Sequence, residues 1–294
     1  MKKSKVYFTK NITEDSVVEM FKVLEKELPG RVAVKVHSGE KENQNFLRPE
    51  FMKKMIDYVK GTVVECNTAY EGQRNTTEKH KKLMEEHNWT KYFNVDIMDS
   101  EGEDLVLEIP NGNVIKKNYV GKNIQNYDSM LVLSHFKGHP MGGYGGALKQ
   151  LSIGVSSSKG KRYIHCTGKE NGSYEDMFNV KQEEFLEAMA EAASSVAEYF
   201  KGNIAYINIM CNMSVDCDCC STAKDPCMKD IGILSSLDPV ALDKACIDLI
   251  YNSNDLGKEH LIERIESRNG THTIDVSQKL GIGSKDYELI IIDK

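Results

Sequence analysis

Residues 129–149 read SMLVLSHFKGHPMGGYGGALK, an apolar run passing directly into a loop with glycines at 138, 142, 143, 145 and 146. Met130-Leu131-Val132-Leu133 has the short, continuous apolar character of a strand buried on both faces. A strand running into glycines and then into a helical pattern presents backbone amides at its carboxyl end, where open α/β sheets bind small ligands. Outward from this stretch, β-rich apolar runs alternate with helical patterns. Strands are expected at 5–8, 31–36, 62–66, 95–98, 129–134, 204–210, 231–234 and 287–292, and helices at 13–28, 49–60, 76–87, 181–201 and 239–251. A hairpin is expected over 104–117, turning at Pro110-Asn111-Gly112-Asn113. The fold class that follows is α/β, with mixed, largely parallel sheets and flanking helices. The chain, 1–294, reads as one unit; the run from Pro140 to Gly160 sets a soft boundary near 155–180, and two interleaved lobes suit the pattern equally.

The 294 residues are 40% hydrophobic and 28% charged, which suits a folded domain with a large core. With 38 basic and 44 acidic side chains the formal charge is −6, so nothing draws the chain to nucleic acid or to an anionic membrane. No apolar run reaches the length of a secretory leader or a membrane span, and the expected compartment is the cytoplasm.

Five of the eight cysteines fall between 211 and 227, in MCNMSVDCDCCSTAKDPCMKDIG: Cys211, Cys217, Cys219, Cys220 and Cys227. In a reducing compartment such crowding points to metal rather than disulfides. Thiolates select zinc, copper(I) or iron–sulfur centres, and a loop with few apolar side chains between Asp216 and Asp225 gains order from a metal. The adjacent pair Cys219-Cys220 is awkward for tetrahedral zinc, and the regular ferredoxin spacing is absent. A [4Fe-4S] cluster is the first expectation and zinc the alternative, held by Cys217, Cys219, Cys220 and Cys227 with Cys211 as substitute. Cys66, Cys166 and Cys246 read as buried small hydrophobes.

His135 and His139 lie four apart in the glycine loop, Lys149 follows Gly146 by three, and His37 in VKVHSGE ends another expected strand. If those strands are parallel neighbours, the three histidines face one crevice, with Gly142, Gly143, Gly145 and Gly146 lending close backbone approach. His80 and His87, on a polar helix, read as surface residues. Asp238 reads as a helix cap and Asp243 as a solvated residue one turn on.

The blocks KVHSGE, SHFKGHPMGGYGGALKQLSIG, VDCDCC and DIGILSSLDPVALDKACIDLI resemble the domain-of-unknown-function family 362, whose members are often described as iron–sulfur cluster-binding or ferredoxin-associated. The resemblance implies a cluster on the internal cysteines, since no C-x₂-C-x₂-C run occurs in this sequence. The loop from His135 to Lys149 also resembles that of nickel-pincer lactate racemases. That resemblance implies His135 or His139 as acid/base or metal-facing groups and Lys149 as a cofactor or anion contact; Tyr144-Gly145 departs from the racemase pattern.

Three functions follow as expectations. The first is an iron–sulfur protein with a redox role, exchanging electrons with a partner protein or a small substrate near His135, Gly143, Gly146 and Lys149. The second is a non-redox enzyme using the histidine and lysine loop for proton transfer on a small anionic ligand, with a structural metal at the cysteines. The third is a metal-binding scaffold without turnover.

Overall fold

The computed structural model describes residues 3–102 and 104–293. An eight-stranded sheet runs, edge to edge, through Tyr287–Ile291, Ser4–Thr9, Gly232–Ser236, Ile204–Met210, Ser129–His135, Val32–Lys35, Thr62–Glu65 and Val95–Ile97. Every neighbouring pair is parallel except the two made by Gly232–Ser236. This is the mixed, largely parallel α/β sheet that the alternating pattern predicts, with each strand within two residues of its expected ends.

Alternation places the core. Along Ser129–His135, Met130 and Val132 face one apolar cluster while Leu131 and Leu133 face another across the sheet. Ile204–Met210 divides likewise, Tyr206 and Met210 to the first and Ala205, Ile207 and Ile209 to the second. Helices Glu14–Lys22 and Pro49–Val59 cover the second face; Ala147–Leu151, Gln182–Tyr199 and Pro239–Tyr251 cover the first. The sheet takes adjacent parallel strands from before and after residues 155–180.

Four local readings are corrected. The first helix stops at Lys22, because Glu25 and Glu27 would lie at the negative end of the helix dipole; Glu25 instead turns with φ of 49°. In the 105–120 hairpin the second strand is Lys117–Val120, since the amides of Asn113, Val114 and Ile115 leave the ladder to bind the buried Glu191 carboxylate, at 3.0 Å from Val114 and 2.7 Å from Ile115. Helix Thr77–Glu86, with its many Lys and Glu residues, buries His80, Leu83 and Met84; His80 Nε2 pairs with Ser38 Oγ at 3.2 Å and His87 stacks on Phe46. Asp238 is the expected cap of helix Pro239–Tyr251, but Asp243 is fully buried.

Candidate thiol and histidine centre

Parallel pairing of Lys35 with Val132 and of Ile209 with His135 brings three strands to one edge, so the chain segments after residues 35, 135 and 210 emerge side by side. These carry His37, the glycine loop and the cysteine loop. Residues 213–231 form no helix or strand, and imported side chains hold them: Asn43 Nδ2 donates to Cys220 O (2.8 Å), Asn45 Nδ2 to Lys224 O (2.8 Å) and Gln44 Nε2 to Ala223 O (2.7 Å).

Asp218 anchors the loop between two of its cysteines. Fully buried, it accepts His135 Nδ1 at 2.9 Å and Lys137 Nζ at 2.7 Å. Burial opposes its charge, but His135 and Lys137 outweigh it and hold the carboxyl well below the usual range. His135 Nε2 lies 2.6 Å from Cys211 O, so both ring nitrogens face oxygen acceptors. His135 thereby positions Asp218 and does not line the cavity beside Cys219 and Cys220.

Cys217, beside it, is fully buried, and its sulfur meets the Cys219 amide at 3.4 Å and Lys149 Nζ at 3.8 Å. His37 and His139 also interact with this thiol. His139 Nδ1 accepts the Gly142 and Met141 amides at 2.8 and 3.2 Å, and His37 Nδ1 accepts the Gly39 amide at 3.1 Å. With Nδ1 an acceptor, each neutral ring carries its proton on Nε2. Burial is the main cause keeping both neutral, with Arg74 adding to it at His37 and Lys149 at His139; each is lowered to about 4. Burial and Cys219 push the Cys217 thiol up, yet it lies below its ordinary value because Lys149 and His139 favour the thiolate.

Ligand-type atoms of His139, Cys217 and Cys219 lie within 4.8 Å of one another, so a cysteine and histidine group able to hold a metal is present. Cys220 follows in the same turn, its amide donating to Cys217 O at 2.9 Å. Two cysteines stand apart. Cys211 faces a crevice lined by Phe46, Arg48 and Asp230, and burial pushes its thiol up to about 12. Cys227 Sγ donates to Met213 O at 3.3 Å and borders a different crevice with His260 and Arg264.

A cavity of about 300 Å³ opens beside the group, lined by Cys219, Cys220, His37, His139 and Lys149. Sequence reading missed much of its wall: Arg74, Lys161 and His165, which no motif marks, and Gln150, which the glycine-loop block contains without its being singled out. Gly142, Gly143, Gly145 and Gly146 lie outside that wall. Gly146 allows close approach of Asp243, whose Oδ1 would lie 2.5 Å from an added Cβ. The amides expected to greet a ligand are taken: Ala147 and Leu148 donate to Asp243 at 2.8 and 2.9 Å, alongside Asn208 Nδ2 at 2.7 Å. Burial raises Asp243 to about 6 against those hydrogen bonds.

Residues 32–248, which include all of these site residues, match the family model described as Domain of unknown function (DUF362). The chain belongs to this family. No curated protein matches the sequence. Among solved structures, the DUF362 chain is similar to the lactate racemase apoprotein from Thermoanaerobacterium thermosaccharolyticum, at 14% identity and a TM-score of 0.41 over 69% of this chain and 50% of that one. It is also similar to a Thermotoga maritima protein from a structural genomics programme, at 10% identity and a TM-score of 0.42 over 91% of this chain and 59% of that one. The DUF362 chain thus spans between half and three fifths of the length of these structures. No described helix is long and apolar enough to cross a membrane.

Proposed function

We propose that this DUF362 protein is a metal-dependent enzyme acting on a small anionic molecule. The observation that carries the reading is the convergence of Cys217, Cys219 and His139 within 4.8 Å beside a cavity whose wall holds Lys35, Arg74, Lys149 and Lys161 against one carboxylate, Glu65.

The donor chemistry suits a soft metal. Cys217 is inclined to the thiolate, and Cys219 and Cys220 border the cavity. The two amides at His139 Nδ1 leave its proton on Nε2, whereas ligating histidines give away their second N–H. The thiols of Cys217, Cys219 and Cys220 would therefore hold the metal, with His37, His139 and Lys149 around the Cys217 sulfur. When bound, an ion of this type polarises a substrate oxygen as a Lewis acid. Lys149 and Lys161 attract and orient the anion, and Arg74 is already tied to Glu40 and Glu65. Cys217 has no face on the cavity, which disfavours direct attack by its sulfur on a substrate.

A second reading, a [4Fe-4S] cluster with a redox role, is favoured by the Lys149 ammonium and the Cys219 amide meeting the Cys217 sulfur, since hydrogen bonds to sulfur tune cluster potentials. Anaerobic purification with metal analysis tests both. About one zinc-type ion per chain supports the first; absorbance near 400 nm with about four irons supports the second. Protein binding neither rejects both. Cys219→Ser should lose the metal and His139→Gln keep it; loss from His139→Gln makes His139 a ligand.

A further inference from the structure

The cavity wall also describes what it takes. Resting on the proposed enzyme, we infer that its substrate class is a monocarboxylate with an apolar body, the carboxylate received by Lys161 and Gln150 and the body lying against Ile153, Met177, Tyr174 and Phe178.

The polar end follows from unspent donors. Lys161, 7% exposed, gives hydrogen bonds to Ser156 O at 2.6 Å and Cys66 O at 3.4 Å, and among the described residues it has no carboxylate partner. Lys35 and Arg74 differ: their charges are met by Glu65, and by Glu40 in the case of Arg74. Gln150, 8% exposed and in the same wall, has its amide nitrogen buried with no hydrogen-bond partner. Buried donors normally find acceptors, so an unpaired amide and an uncompensated ammonium in the wall of one cavity mark where ligand oxygens belong. Two such donors suit the two oxygens of a carboxylate.

The apolar end follows from exposure. Tyr174 and Phe178, 52% and 60% exposed, pack edge to face on the short 3₁₀ helix at residues 175–178 and its approach, and both line the cavity. Met177 between them is buried, and Ile153 and Met141 continue the apolar wall. A compact anion such as acetate would leave this surface uncovered, whereas an alkyl or aryl chain would cover it.

Isothermal titration calorimetry of the full chain, metal-loaded and metal-stripped, with hexanoate, acetate, 1-hexanol and inorganic phosphate tests the assignment. Hexanoate should bind at least tenfold tighter than each of the others and keep its site in stripped protein, because neither Lys161 nor Gln150 is a thiol ligand. Lys161→Met and Gln150→Leu should each weaken hexanoate at least tenfold with metal content unchanged. Phe178→Ala, at an exposed position that folding tolerates, should weaken hexanoate severalfold and leave acetate alone. Phosphate or acetate binding as tightly as hexanoate, hexanol matching it, or no binding by hexanoate overturns the carboxylate class. Hexanoate binding that disappears with the metal overturns the Lys161 and Gln150 site. Metal content, measured separately, reports on the proposed enzyme whichever titrant binds.

Discussion

The glycine loop and the cysteine loop leave adjacent parallel strands at the same sheet edge, yet they are built by opposite means. The first makes its own structure: Lys137–His139 pairs antiparallel with Gly143–Gly145, all six residues are buried, and Asp243 closes the following turn by taking the Ala147 and Leu148 amides. The second has no ladder in 213–231 and borrows order from Asn43, Gln44, Asn45 and the ion pairs of Asp218. A segment held mainly by imported polar contacts has the most to gain from a bound metal, since binding free energy then becomes ordering free energy. The contrast teaches that metal response should be local to one loop.

The largest expected effect comes from Asp218→Ala, which leaves the buried Lys137 charge without its carboxylate and His135 Nδ1 without its acceptor. Urea denaturation should show a loss of about 3–5 kcal/mol, and metal content should fall with it. Full metal retention would mean that the thiols hold their positions unaided and would break the comparison. Next comes Asp243→Ala, which strands two backbone amides and the Asn208 side chain for a loss of about 2–4 kcal/mol. Here the metal content of folded protein should stay at the wild-type level, so depletion in this variant would show the loops to be one unit.

The smallest effect is in pH dependence, where opposite signs are expected. His80, buried beside Ser38, is lowered to about 3 chiefly by burial, so the unfolded chain takes up its proton first and stability is lost as pH falls below about 6.5. Asp243, raised to about 6 by burial, works the other way: the folded state binds the proton first, and stability is gained as pH falls from about 6 toward the ordinary value of 3.8. Chemical denaturation between pH 6 and 4.5 should therefore find a shallower acid limb in His80→Gln and a steeper one in Asp243→Asn. Each slope should differ from wild type by about 1.4 kcal/mol per pH unit. Unchanged slopes would remove the titrating roles assigned to these side chains.

Much of the frame was legible because periodicity reports burial directly. The apolar runs at 129–134 and 204–210 and the cap at Asp238 could be read from residue order alone, for each depends on neighbours a few positions away. His80 could not: its helix is mostly Lys and Glu, and what buries it is Ser38, forty-two positions earlier. The second strand of the 105–120 hairpin escaped for the same reason, its expected start being drawn off by Glu191 far along the chain.

Residue order by itself determined the parallel α/β sheet, the three segments bearing histidine or cysteine, and the crowding of soft ligands in one of them, since these are matters of local pattern. Only the tertiary structure decided that Cys217 and Cys219 meet His139 while Cys211 and Cys227 turn elsewhere, that His135 serves Asp218, and that Lys161 and Gln150 share the cavity with them. The physical reason is that side-chain direction and charge pairing are set by partners from distant strands, and equal spacing along a loop carries no record of which sulfur will face which neighbour.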